Sequence, residues 1–130
     1  MGPHPTEGEL AILRALWAQR APCTVRDVHA ALSRTKDTAY TTVLKMMTIM
    51  ADKGLLKRDE SARSHLYRAV HPEPEVQSAL LKDLLQRAFS GSAVQLVQSA
   101  LDADAASTND LDQIARMIAE ARARRAGSGQ

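Results

Sequence analysis

Apolar residues recur at helical spacing in two segments near the start of the chain, and a capping pattern opens each segment. The first follows Thr6-x-x-Glu9 and ends before Pro22, which cannot continue a helix. The second follows Thr24-x-x-Asp27. The apolar faces hold Leu10, Leu13, Leu16 and Trp17 in the first segment and Val25, Val28 and Leu32 in the second. Two short amphipathic helices are therefore predicted.

A third helix and a hairpin complete the front segment, residues 1–71. The helix begins after a cap at Asp37 or Thr38 and is closed by Gly54. Two short strand-like runs follow, residues 55–58 and 65–70, and a polar loop of hairpin type joins them. The predicted order is helix, helix, helix, strand, strand.

The back segment, residues 72–130, reads as helix almost throughout. The run His71-Pro72-Glu73-Pro74 separates it from the front, because two close prolines favour an extended or turn backbone. A helix is predicted over 75–89, followed by a left-handed stop at Gly91 and a new N-cap at Ser92. Ser107-x-x-Asp110 opens the last helix.

These back-segment helices carry broad apolar faces and few aromatic residues that would cover them. Exposed apolar faces imply a partner, and the simplest partner is a second copy related by a two-fold axis. The alternative is that the helices fold back onto the front segment. The expected dimer interface comprises Leu81, Leu84, Leu85, Phe89, Leu96, Val97, Leu101, Ile114 and Ile118.

The third helix has a polar face made mainly of threonines. Opposite the apolar stripe lie Thr38, Thr41, Lys45, Thr48 and Asp52, with Thr42 on the shoulder. Each threonine costs a few tenths of a kcal/mol of helix propensity, roughly, so some compensating role is expected. A DNA major groove supplies one, because threonine and lysine side chains bond to base edges and phosphates. The alternative is a set of tolerated surface residues.

The order of the predicted elements favours DNA binding by the third helix. Two helices, a polar-faced third helix and a two-stranded hairpin follow the order of a winged helix-turn-helix, whose second motif helix enters the major groove. Arg63, near the hairpin tip, is placed to contact the flanking backbone or minor groove, and Arg58 and Arg68 to contact phosphates. Tyr40 either hydrogen-bonds the DNA backbone or packs under the hairpin.

Charge and composition agree with this interpretation. Residues 1–71 hold 11 Lys and Arg against 7 Asp and Glu, a net +4, whereas residues 72–130 hold 6 against 8, a net −2. A basic front segment suits a polyanion. The aromatic content of 3% argues against an all-β fold. No apolar run approaches the ~20 residues of a membrane span, and Met1–Gly8 lacks the features of a signal peptide. A cytoplasmic protein without membrane insertion is expected.

Enzyme, cofactor and metal chemistry find no support in the sequence. There is no glycine-rich phosphate loop, nucleophile elbow or pair of carboxylates in an apolar setting. The four histidines are scattered without metal-ligand spacing. Cys23 allows no internal disulfide and is interpreted as a passive thiol rather than a redox group. The chain is predicted not to be an enzyme and to hold no cofactor.

Several motifs at a common spacing resemble the penicillinase-repressor family of winged-helix bacterial transcriptional regulators (the BlaI, MecI and CopY type). They are Glu9-Leu10-x-Ile12-Leu13-x-x-Leu16-Trp17, Thr24-Val25-x-x-Val28, Ala39-Tyr40-Thr41-Thr42-Val43, Lys53-Gly54-Leu55-Leu56, Leu66-Tyr67 and Leu84-Leu85-x-x-x-Phe89-x-Gly91-Ser92. The resemblance covers about residues 6–122. It implies a helical dimerisation domain after the winged helix, a dyad DNA operator and repression of transcription. It places Thr41, Thr42 and Lys45 where the family reads bases, and Arg63 in the wing.

The resemblance also bears on induction. Copper-responsive members hold metal through Cys-x-Cys pairs, which this chain lacks, so that mode of sensing is not expected. Members that respond to β-lactams, and so regulate antibiotic resistance, are cut in the dimerisation domain by a membrane sensor protease. The corresponding stretch here is near Gln98-Ser99, without the family's Asn-Phe bond.

The combined prediction is a mainly α (α+β) protein in three parts. A winged-helix domain with a two-stranded wing spans 6–71, a helical dimerisation domain spans 72–125 and a disordered tail spans 126–130. The function expected is sequence-specific repression by a homodimer on double-stranded DNA, released when the dimer is lost. The alternatives are a ligand-responsive winged-helix regulator with a pocket between its halves, and a helical adaptor that docks an acidic protein surface.

Overall fold

A computed structural model describes residues 4–127 of the chain. The described residues are mainly helical, with one antiparallel two-stranded sheet between the third and fourth helices. In chain order the elements are α1 (Glu7–Gln19), α2 (Val25–Leu32), α3 (Tyr40–Asp52), β1 (Leu56–Asp59), β2 (Leu66–Ala69), α4 (Glu73–Phe89), α5 (Ala93–Asp102) and α6 (Thr108–Gly127). The predicted winged helix-turn-helix followed by helices is confirmed.

Most helix starts are fixed by the predicted side-chain caps. The Thr6 and Thr24 hydroxyls accept hydrogen bonds from the backbone N–H three residues later, and reciprocal carboxylate bonds complete both capping boxes. The Ser92 and Ser107 hydroxyls accept in the same way at the starts of α5 and α6. Gly91 adopts the left-handed conformation expected of it, with φ of 80°.

The predicted cap of α3 is wrong. The N-cap is Ala39, whose side chain offers no hydrogen bond, and the Thr38 hydroxyl donates to the Lys36 carbonyl instead. Histidine supplies the missing anchor: His29 Nε2 lies 2.7 Å from the Thr38 carbonyl oxygen, so Nε2 donates there. The His29 ring also meets Tyr40 edge-on, with centroids 5.7 Å apart. A side chain of α2, nine residues earlier in the chain, therefore anchors the start of α3.

One apolar core lies between α1, α2, α3 and the sheet, in the first of two compact units into which contacts divide the chain. Its buried residues are Ile12, Leu13, Leu16, Cys23, Val25, Val28, Val43, Met47, Met50, Leu55, Leu56 and Tyr67. In the sheet, Leu56 pairs with Ala69 and Arg58 with Tyr67. The backbone of Cys23 adds two hydrogen bonds to Tyr67, of 2.9 and 2.8 Å, which tie the turn before α2 to the wing. The sheet is thus fixed relative to α2 and α3.

Contacts divide the chain into two compact units between Asp83 and Leu84, inside α4. The first half of α4 belongs to the first unit because Val76 is fully buried. Trp17 Nε1 also donates to the carbonyl of His71, 3.1 Å away, just before the helix. At the other end, Ala126 is helical, although it falls in the predicted tail. The run of alanine and arginine before it favours helix, and residues 128–130 lie outside the described part.

A buried carboxylate joins α1 to the end of α3. Glu9 is only 6% exposed, yet its carboxylate accepts from the Thr6 backbone N–H and lies 2.7 Å from Lys53 Nζ, at the end of α3. Burial alone raises the pKa of Glu9, but the hydrogen bonds from Lys53 and Thr6 outweigh it and leave this pKa below the ordinary value. Glu9 is therefore charged and paired at neutral pH.

Replacing Glu9 with glutamine should lower the free energy of unfolding by about 1–2 kcal/mol at pH 7, since Lys53 is half exposed and the pair is partly screened. A carboxylate whose pKa is lowered on folding stabilises the fold above its unfolded pKa and loses that effect as the pH falls through its folded pKa. The gap between wild type and Glu9→Gln should therefore shrink below about pH 4.5. Urea denaturation across pH checks this. Glu7→Gln, in the same turn but exposed, should show no such effect, and equal losses in both variants would contradict the assignment.

Candidate nucleic-acid interface

Helix α3 buries one face in the core and exposes the opposite side. Val43, Met47 and Met50 are completely buried in the core of the first unit. Thr41 and Lys45 lie on the side opposite to them and are exposed. Because a helical turn takes 3.6 residues, positions 40, 41, 44, 45 and 48 line the outward side in two adjacent rows. A partner that approaches α3 from solvent meets these rows first.

A groove of about 500 Å³ runs between the outward shoulder of α3, the start of α2 and the wing. Its lining residues are Thr24, Val25, Arg26, Tyr40, Leu44, Arg63, Ser64, His65 and Tyr67. Two arginines and a histidine contribute to it, and none of the lining residues is a carboxylate. The predicted residues Tyr40 and Arg63, 23 positions apart in the chain, are brought together here. An anionic partner is the one that this composition favours.

The structure does not bring all of the predicted DNA contacts to this groove. Thr42 and Thr38 line a different cavity, of about 630 Å³, on the opposite shoulder of α3 and against α1. The Thr48 hydroxyl donates to the Leu44 carbonyl, 2.8 Å away, so its proton is engaged within the helix. Thr38 precedes α3 and is half buried. Thr41 and Lys45 lie between the two shoulders and are exposed.

The charged side chains of the wing differ in their exposure and in whether they already have a partner. Arg63 is exposed near the tip. Arg58 is half buried, and the neighbouring Tyr67 hydroxyl, with help from Glu60, holds the pKa of Arg58 above its usual value. The Glu60 carboxylate lies 3.7 Å from Arg58 Nε and 3.9 Å from His65 Nε2. The predicted phosphate role thus suits Arg63 better than Arg58, whose charge is already engaged inside the wing.

Two groove residues escaped the sequence analysis. Arg26 is the second residue of α2, and the capping box at Thr24 was the signal that placed it at an exposed helix start. Leu44 lies one turn after Tyr40 on α3 and is 41% exposed. Its spacing from Tyr40 and Lys45 was visible in the sequence, but an apolar residue was assigned no role among the threonines.

Apolar side chains are exposed on the second half of α4 and on α5 and α6. Neither α5 nor α6 contains a buried residue. Of the residues predicted at a dimer interface, five are exposed: Leu81, Leu84, Val97, Leu101 and Ile118. The other four, Leu85, Phe89, Leu96 and Ile114, are half buried. Val94 and Met117 add further exposed apolar surface. Such a surface favours a partner, and the dimer interface itself stays a prediction.

The part of the chain that the structure describes, residues 4–127, holds no cluster of three His, Cys, Asp or Glu side chains arranged for a metal ion. Within it, no helix is both long and apolar enough to cross a membrane. The Cys23 thiol is buried, which raises its pKa, and the charge of Asp27 raises it further. The thiol is therefore protonated at neutral pH, as a passive thiol requires.

Comparison with known proteins identifies the family. The sequence profile described as Penicillinase repressor matches residues 5–120. Two curated relatives, both named Transcriptional regulator BlaI, come from Mycobacterium tuberculosis strains CDC 1551 / Oshkosh and ATCC 25618 / H37Rv. Each is 38% identical to this chain over 87 residues, or 67% of this chain and 63% of the relative. The chain thus matches less than two thirds of the length of these relatives. The resemblance found in the sequence motifs is confirmed, and the chain belongs to the penicillinase repressor family.

Proposed function

We propose that the chain is a cytoplasmic, sequence-specific DNA-binding repressor that acts as a homodimer on a dyad operator. The observation that carries the proposal is the groove beside α3, where Arg26 and Arg63 flank an exposed helix face without any carboxylate among the lining residues. DNA is the polyanion whose major groove admits an α-helix. Membership in a family of repressors supports the same function.

The exposed face of α3 and the groove beside it have distinct expected contacts with DNA. Thr41, Thr42 and Lys45 on α3 contact base edges, because threonine and lysine side chains have the required donors and acceptors. Arg26 at the start of α2 and Arg63 on the wing contact phosphates on either side, which fixes the register of the helix on the duplex. Sequence information thus comes from α3 and electrostatic affinity from its flanks.

Dimerisation through the second unit gives the protein two linked DNA-binding sites. One winged-helix unit offers few base contacts, and the apolar surface of α5 and α6 in a single chain has no buried residue. Pairing this surface with a second copy covers it and links two recognition helices. Two linked half-sites bind far more tightly than one, because the second contact is intramolecular. Loss of the dimer, for example by cleavage within the second unit, would therefore release the DNA.

Selection of duplexes from a random library by the full-length chain tests the proposal. The recovered sequence should be an inverted repeat, with half-site centres about one helical turn of DNA, or a multiple, apart. Four phosphate contacts per dimer, from Arg26 and Arg63 of each chain, should make affinity fall about a hundredfold between roughly 50 and 200 mM salt. Recovery of no common sequence, or of a motif without two-fold symmetry, would contradict it.

A further inference from the structure

Leu44 is an apolar side chain exposed in the middle of the interface. It is 41% exposed and lines the groove with Tyr40, Arg26 and Arg63. The core does not need it there, because Val43, Met47 and Met50 already fill the buried face of α3 without residual exposure. An exposed leucine between Tyr40 and Lys45 on the helix therefore faces whatever the groove binds.

The wing leaves Leu44 partly exposed, because Tyr67, the aromatic wing residue that lines the same groove, is itself buried in the core. The exposed wing residues that line the same groove are Arg63, Ser64 and His65, all polar. The neighbouring threonine on the next turn, Thr48, donates its hydroxyl proton to the Leu44 carbonyl, 2.8 Å away, so this proton is not offered to a base. The shoulder of α3 at Leu44 is thus suited to an apolar contact rather than a hydrogen bond.

We propose that Leu44 is a specificity-determining residue that reads the 5-methyl group of a thymine in each half-site. This inference rests on the proposed function. The thymine methyl is the apolar group that the base pairs display in the major groove, and apolar side chains contact it there. At a position opposite cytosine, guanine or adenine, Leu44 would cover a polar base edge without satisfying it, which costs affinity. Leu44 therefore selects thymine in two ways. Contact with the methyl group favours thymine, and an unsatisfied polar edge disfavours the other bases.

Deoxyuridine substitution tests the contact directly, because uracil differs from thymine at this edge by the methyl group alone. Each thymine of the duplex selected by the full-length chain is replaced in turn by deoxyuridine, symmetrically in both half-sites, and affinity is measured by fluorescence anisotropy. At one thymine per half-site, wild type should lose about fourfold for each buried methyl, and about fifteenfold for the symmetric pair. The other thymines should tolerate the change.

Variants assign that response to Leu44. Leu44→Ala should bind the thymine duplex about as weakly as wild type binds the deoxyuridine duplex, and should not distinguish the two. Ile49→Ala is the matched control, since Ile49 is equally exposed on α3, at 43%, but does not line the groove. It should retain the full thymine response. Leu44→Met, which remains apolar, should retain most of it.

Two results would overturn the inference. A half-site without thymine would do so, as would a methyl response of the same size in wild type and Leu44→Ala. Either result leaves the proposed function standing, provided that the chain still selects an inverted repeat and that Lys45→Ala weakens its binding. Failure to select any duplex would instead overturn the proposed function and this inference together.

Discussion

Replacing Leu84 with aspartate is expected to convert the proposed dimer into a monomer and to weaken operator binding by about two to four orders of magnitude. Leu84 is 47% exposed in the described chain, so the substitution does not disturb the core of the first unit. In a dimer it would place an unpaired charge in an apolar interface, which is strongly unfavourable. DNA affinity then falls because each half-site is bound by a separate molecule.

Sedimentation and anisotropy measure the two effects in the same samples. Gln86→Asp is the matched control, because it adds the same charge to α4 two residues away, at an exposed position on the other side of the helix. It should remain dimeric and bind as wild type does. Circular dichroism should show the same helix content in all three proteins. A monomeric Leu84→Asp that binds the duplex with undiminished affinity would contradict the bivalent mechanism.

Removing Thr42 and Lys45 together is expected to weaken specific binding at least about a hundredfold, while the dimer stays intact. Each lost base contact costs about 1–3 kcal/mol, and the loss occurs in both half-sites. Affinity for unrelated duplex should fall much less, because Arg26 and Arg63 still contact phosphates. The ratio of specific to non-specific affinity should therefore fall.

Anisotropy on specific and scrambled duplexes measures this ratio. Thr35→Ala/Lys82→Ala is the control, since it removes the same two side-chain types from exposed positions outside α3. It should leave the ratio unchanged. The base-reading role of Thr42 and Lys45 fails if the double variant Thr42→Ala/Lys45→Ala discriminates between the duplexes as well as wild type does.

Local signals predicted most of the fold, because short-range chemistry fixes those elements. The capping boxes at Thr6 and Thr24 and the left-handed Gly91 each depend on residues within a few positions. The start of α3 was misplaced because its anchor is His29, which belongs to another helix and gives no local signal. The hydrogen bond from Trp17 to His71 likewise joins residues 54 positions apart and gives no local signal.

The candidate interface was predicted in part for the same reason. Helical periodicity identified the exposed face of α3, including Thr41 and Lys45. It also separates Thr42 from Tyr40, two residues away, but it did not show which elements lie against each of them, because that depends on how α1 and the wing pack. Nor did it show that Arg58 is engaged by Tyr67 and Glu60, since that pairing requires the sheet register.

The most direct test of the central claim is a salt titration of the full-length chain on two duplexes, followed by anisotropy. One duplex is the selected inverted repeat, and the other has the same base composition with both half-sites scrambled. Preference for the inverted repeat by at least about a thousandfold is expected, with steep weakening as salt rises and two chains bound per duplex. Equal affinity for both duplexes, or no binding at low salt, would contradict sequence-specific repression by this chain.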